Sequence, residues 1–209
     1  MDARRLFQRA WRTVDATGDG AGAFEGLRVR HAAPSRHYHT MAHVLETIAA
    51  LRASGGSLAN PAEAELALWY HDAVYDPARN DNEEASAELA THELRRAGVK
   101  EPVVERISAM ILDTRHSAPA TTADGALVAD ADLATLGAAE DVFDAYNAAI
   151  RQEYAFVPEP VYRAARAEVL RKFLDRPAVY QTRVFRRTHE TGARTNLARA
   201  LARLQAGAD

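Results

Sequence analysis

The chain has 209 residues, 47% of them hydrophobic, a formal net charge of -3 and no cysteine. That length and apolar content suit one folded domain with a real core rather than a disordered chain. The charge gives no electrostatic case for nucleic acid or an anionic membrane, no apolar run approaches the roughly 20 residues that span a bilayer, and the missing thiols exclude disulfides, thiolate zinc sites and cysteine nucleophiles.

Alanine, leucine, arginine and glutamate dominate, and apolar residues recur every three or four positions, so an all-α fold is expected. The opening segment, charged within a helical pattern and without a secretory apolar core, fits a cytoplasmic protein. A first helix is predicted from about Asp2 to Asp15, with Leu6, Ala10 and Val14 on one stripe, and a second from about Ala23 to His31, stopped by Pro34. A third begins near His39 and carries Met41, Val44, Leu45, Ile48 and Leu51 on one face. Asn60-Pro61 then opens a central helix that runs to about Tyr75 and is apolar on nearly every side, with His71 and Asp72 inside it. Asp81 or Asn82 caps a helix reaching about Ala97, and Glu101 to Asp113 forms another. After a loop at Ser117 to Thr122 come a short helix from Leu127 to Leu136, then helices at about Ala139 to Tyr154, Pro160 to Leu174 and Ala178 to Leu204. No repeat or linker marks a second domain, so a single helical domain over residues 1–209 is expected, with a core at about 30–140 and a C-terminal helical extension at about 141–209.

Histidines and carboxylates fall inside the apolar segments. His39 and His43, four residues apart, share one side of a helix with Ala42, Glu46, Thr47 and Ala50, away from the Met41/Val44 stripe. Read alone, they fit an exposed cluster equally well. His71-Asp72 buries an ionised carboxylate, which costs several kcal/mol unless a cation or a structural partner meets it. Asp130 and Asp132 lie in a further apolar helix. A mixed imidazole and carboxylate set on three helices suits Mn²⁺, Fe²⁺, Co²⁺ or Ni²⁺, with Mg²⁺ and Zn²⁺ also compatible.

The order of these segments resembles the H…HD…D pattern of the HD-domain metal-dependent phosphohydrolases. Arg36-His37-Tyr38-His39 through His43, Tyr70-His71-Asp72-Ala73-Val74-Tyr75, Asp81-Asn82-Glu83-Glu84-Ala85-Ser86-Ala87, Asp130-Ala131-Asp132-Leu133 with Gly137, Ile150 to Tyr154 and Arg194-Thr195-Asn196-Leu197 are similar to a bacterial subgroup of predicted HD hydrolases, over about residues 30 to 205. The doublet alone is a weak signal; the ordered segments are a specific one. The resemblance implies one HD-type bundle whose metal ligands are His43, His71, Asp72 and Asp132, with Asp130 as the alternative fourth, and about one divalent metal per chain. It implies hydrolysis of a phosphomonoester or phosphoanhydride of a small molecule, a nucleotide among the candidates, by a metal-activated water. Asp72 would orient that water, with His39, Glu83 and His116 as candidate proton-transfer groups and Arg36 and Arg115 as candidate phosphate contacts. The rival functions are a di-iron oxygenase on the same fold and a non-catalytic, metal-stabilised binding protein. Expected partners are a small phosphorylated substrate, neither nucleic acid nor membrane, and a second copy supported by the aromatic C-terminal helices.

Overall fold

Ten α-helices and one 3-10 turn form the computed structural model among the described residues, 2–206; no strand occurs there, so the chain is all-α, as the periodicity predicts. It divides into two compact units, Met1–Asp132 and Leu133–Asp209; Met1 and residues 207–209 lie outside the described residues.

The first unit carries α1 (Ala3–Thr13), α2 (Ala21–His31), α3 (Met41–Ala53), α4 (Pro61–Tyr70), α5 (Asn82–Arg96), α6 (Glu101–Asp113) and α7 (Ala123–Asp132). Every residue of α4 from Glu63 to Tyr70 is buried, because α1, α3, α5, α6 and α7 all pack against it. A helix enclosed in this way needs close apolar neighbours and paired polar groups. Phe7 meets Trp69 edge-on at 5.5 Å, and Phe24 meets the same indole at 6.0 Å. The two acids of α4 are held bidentately, Glu63 by Arg106 at 2.7 Å and Glu65 by Arg52 at 2.7 Å. The Tyr70 hydroxyl donates to Glu93 at 2.5 Å.

Two helix ends differ from the expectation, and one side chain accounts for both. α3 begins at Met41 rather than His39, and α4 ends at Tyr70 rather than Tyr75. The Arg36 guanidinium is buried between these ends and donates to the carbonyls of His39 (2.9 Å), Asp72 (2.6 Å) and Ala73 (3.2 Å). Those carbonyls therefore find their partner outside a helical ladder. The Ser86 hydroxyl completes the exit from α4 by accepting from the Val74 N–H at 3.0 Å. α7 also shifts, starting at Ala123 instead of Leu127 and giving way after Asp132 to a 3-10 turn over Leu133–Gly137. Its Asp124 carboxylate accepts from the N–H groups of Ala59 (2.9 Å) and Asn60 (2.8 Å), which fixes the start of α4 from α7. Gly125 lets α7 lie against the end of α6, since a Cβ there would come within 2.1 Å of Asp113 Oδ2.

The second unit holds the 3-10 turn, α8 (Glu140–Glu153), α9 (Glu159–Leu174) and α10 (Arg183–Ala206). α10 begins at Arg183 rather than Ala178 because Glu190 turns back and accepts the N–H groups of Val179 (3.0 Å) and Tyr180 (3.3 Å), holding them outside the helix. The buried Asn196 amide donates to Leu136 O at 3.0 Å and Ala138 O at 2.9 Å, satisfying carbonyls at the end of the 3-10 turn. Phe156, between α8 and α9, is 62% exposed. No helix among the described residues is long and apolar enough to cross a membrane.

Burial of His31, with the Arg36 charge second, pushes its pKa down to about 4 from 6.5. Arg36, 3.1 Å from His31 Nδ1, carries a fixed positive charge that disfavours a second one on the imidazole, outweighing the His39 carbonyl 3.3 Å from the same nitrogen. The unfolded chain then binds the extra proton between pH 6.5 and 4, so this contribution is complete above pH 6.5 and is lost as pH falls towards 4. At 1.36 kcal/mol per unit it amounts to about 3 kcal/mol. Urea unfolding at a series of pH values should show that slope in wild type and a shallower one in His31→Gln; equal slopes would refute the assignment.

Candidate metal centre

Four side chains from three segments meet beside the exit of α4. His43 lies in the first turn of α3, on the same buried stripe as Val44, Thr47, Ile48 and Leu51. The second packed face expected of that helix is therefore not formed, and Ala42 and Glu46 are exposed. His71 caps the C-terminus of α4, with Asp72 next in the turn, so the doublet stands just beyond the buried helix rather than in its middle. Asp132 is the last residue of α7.

The imidazole Nε2 atoms of His43 and His71 are 3.2 Å apart, and Asp132 Oδ1 lies 3.1 Å from the first and 3.2 Å from the second. Asp72 Oδ2 approaches the same two nitrogens at 3.6 and 3.0 Å. His43, His71 and Asp132 form a group that could hold a metal ion. The spacing fits one: ligand atoms about 2.1 Å from a common cation lie roughly 3.0 Å apart at octahedral angles and about 3.4 Å apart at tetrahedral ones. The donor chemistry fits as well, because two imidazole nitrogens facing each other at hydrogen-bond distance cannot both keep a proton without repulsion, whereas both can offer lone pairs to a cation. The two imidazoles are 2% exposed and the two carboxylates 14%, so the site opens to solvent on its acidic side.

The protonation balance is set by the same contacts. Burial works against charge on His71, but the Asp72 and Asp132 carboxylates outweigh it and raise its pKa well above the ordinary value. Burial likewise works against ionisation of the two aspartates, and the His71 charge overrides it, with His39 next for Asp72 and a hydrogen bond from His116 for Asp132. Both carboxyls are held well below the usual range.

Neighbouring groups aim these ligands. His71 Nδ1–H donates to Leu68 O at 2.8 Å, which turns Nε2 into the site. His116 Nε2 contacts the other oxygen of Asp132 at 2.8 Å. It reaches there from a left-handed backbone (φ 53) just after α6, a conformation that costs a non-glycine residue and persists only where the surroundings enforce it. Asp130 is fully buried, and two residues of helix turn it about 200° away from Asp132.

The other residues singled out from the sequence fall around this centre. His39 is in the turn before α3, so it does not share a helical face with His43; its ring stacks on Tyr75 at 4.0 Å and meets His43 at 5.9 Å. Tyr38 packs on His43 at 4.5 Å. Glu83, half-buried in the first turn of α5, has its pKa raised by burial and further by the Asp72 charge. Arg115 is paired with Glu84 at 2.5 Å, close enough to influence Glu83. Arg36, a candidate phosphate contact from the sequence, has its guanidinium on the His39, Asp72 and Ala73 carbonyls and against His31. Two residues passed over in the sequence, Tyr38 and Tyr75, wall the site; their places beside His39 and two residues beyond Ala73 were the available signal.

Arg36 thus ties the segment before His43 to the segment carrying Asp72. Arg36→Met should cost about 3 kcal/mol in chemical unfolding, since three carbonyls lose a charged donor, and should weaken metal binding; a change under 0.5 kcal/mol would show the tie to be incidental. Binding of a cation must also displace the proton that the carboxylates hold on His71. Affinity for Co²⁺, followed by its visible absorption, should therefore fall as pH drops from 8 to 5, by about tenfold per unit for each proton displaced; a flat profile would contradict this.

No family model, curated protein or solved structure matches this chain.

Proposed function

We propose that the protein is a metal-dependent phosphohydrolase of the HD-domain type, cleaving a phosphomonoester or phosphoanhydride of a small molecule, with nucleotides among the candidates. The observation that carries this reading is the His43, His71 and Asp132 group that could hold a metal ion, with Asp72 Oδ2 at 3.6 and 3.0 Å from the same two imidazole nitrogens and both carboxylates 14% exposed. A divalent cation held by these four would supply a hydroxide equivalent near neutral pH and neutralise phosphoryl oxygens. His71 is locked in the required tautomer by Leu68 O, and His116 fixes the orientation of Asp132. Glu83 is the proton carrier in this reading: half-buried in the first turn of α5, its affinity for a proton raised by burial and further by the Asp72 charge. A proton held there can pass to a leaving oxygen, the role a general acid plays in ester cleavage. Arg115 can serve phosphate only by leaving Glu84, a carboxylate-for-phosphate exchange that a guanidinium fork permits.

Phosphate release from a panel of nucleotides and sugar phosphates, with Mn²⁺, Co²⁺, Ni²⁺ or Mg²⁺ supplied, tests this. Wild type should turn over at least one class, and Glu83→Gln should lower kcat on the order of 10²-fold with metal content unchanged. Metal-loaded protein that releases no phosphate from any of them would overturn the proposal, and two irons per chain with no phosphate release would point to oxygen chemistry instead.

A further inference from the structure

The second unit contains a guanidinium that no carboxylate meets among the described residues: Arg166 lies over the Tyr146 ring at 5.3 Å and has no ion pair there. Arg166, on α9, donates through Nη2 to the Tyr146 hydroxyl at 2.9 Å and to Asn147 Oδ1 at 3.0 Å, both neutral acceptors. Its Nε is sealed from solvent and has no acceptor. The neighbouring arginines are matched: Arg151 by Glu159 at 2.8 Å, and Arg199 and Arg203 by the shared carboxylate of Asp144 at 2.8 and 2.9 Å. Taking a cation out of water without an anion is costly, and an anion arriving from outside would offset that cost.

A cavity stands at that point. α8, α9 and α10 enclose about 260 Å³, lined by Arg166 together with Arg151, Arg203, Asp144, Glu159 and Tyr162. Three arginines face two carboxylates there, and both carboxylates are already engaged. The wall between the charges is apolar: the Tyr162 ring lies under Arg151 at 4.5 Å, and Ala148, Ala200 and Leu204 complete it. A space this small with one uncompensated donor group and an aromatic wall suits a compact ligand.

We propose that this pocket binds a small organic oxyanion, a carboxylate or phosphate head on a short apolar or aromatic body, with Arg166 meeting the head and Tyr162 the body. The site lies wholly within Leu133–Asp209, shares no residue with the metal centre and does not depend on the function proposed for that centre.

Isothermal titration of the chelator-treated full chain with benzoate, phenyl phosphate and inorganic phosphate tests it. Saturable binding of at least one organic probe is expected, with Kd raised tenfold or more in Arg166→Met and in Ala200→Phe, which fills the cavity but keeps the guanidinium, and unchanged in His71→Ala. Tighter benzoate identifies a carboxylate ligand, and tighter phenyl phosphate a phosphate one. Absence of saturable binding in wild type, binding that survives in Ala200→Phe, or binding lost equally in His71→Ala would overturn the assignment.

Discussion

Two imidazoles and two carboxylates share one corner of the first unit, each carboxylate within 3.0 to 3.6 Å of both imidazole nitrogens. Without a metal they form a proton-sharing cluster in which His71 carries charge and Asp72 and Asp132 answer it. A divalent cation held by His43, His71 and Asp132 would take the place of that proton. Either way the corner needs a net balance of charge, because unmatched ions at this depth would cost several kcal/mol each. The surrounding structure is arranged to hold these four groups in register. α4 is buried along its length and ends where His71 begins, α7 ends on Asp132, and α3 starts two residues before His43.

The register is enforced over long sequence distances. Arg36 joins the turn before α3 to the turn after α4, and Asp124 on α7 caps the approach to α4. His116 reaches Asp132 only through a left-handed residue. These devices place three ends of three helices at one point, and helix ends are where backbone direction can change to present adjacent side chains such as His71 and Asp72. A doublet inside a continuous helix would point two neighbours about 100° apart.

This explains which features were legible in the sequence. The three-to-four spacing of apolar residues gives the helices, and the enclosed character of Glu65 to Tyr70 gives the centre of the first unit. His43, His71, Asp72 and Asp132 stand out as polar groups inside apolar segments, and the structure brings them together. Helix ends were less legible because distant partners decide them: His39 and Asp72 leave helical geometry through Arg36, and Val179 and Tyr180 through Glu190. The part Arg36 plays in the fold was hidden for a related reason. A guanidinium between His-rich and acidic motifs looks suited to phosphate, yet its acceptors are backbone carbonyls, two of them 36 and 37 positions away and carrying no side-chain signature. Arg166 gives no sequence signal either, since an unmatched charge shows only when every neighbour's partner is known.

The central claim is that these four side chains form a metal site rather than a self-sufficient charge cluster. Stoichiometric titration of the chelator-treated chain with Mn²⁺, following loss of the free-ion paramagnetic resonance signal, tests it most directly when run beside Asp132→Asn. One tightly bound Mn²⁺ per chain in wild type, with affinity at least 10²-fold lower in a folded Asp132→Asn, is the predicted result. A folded wild-type chain that leaves all Mn²⁺ free, or equal binding in both proteins, would show that His43, His71, Asp72 and Asp132 balance one another and hold no ion.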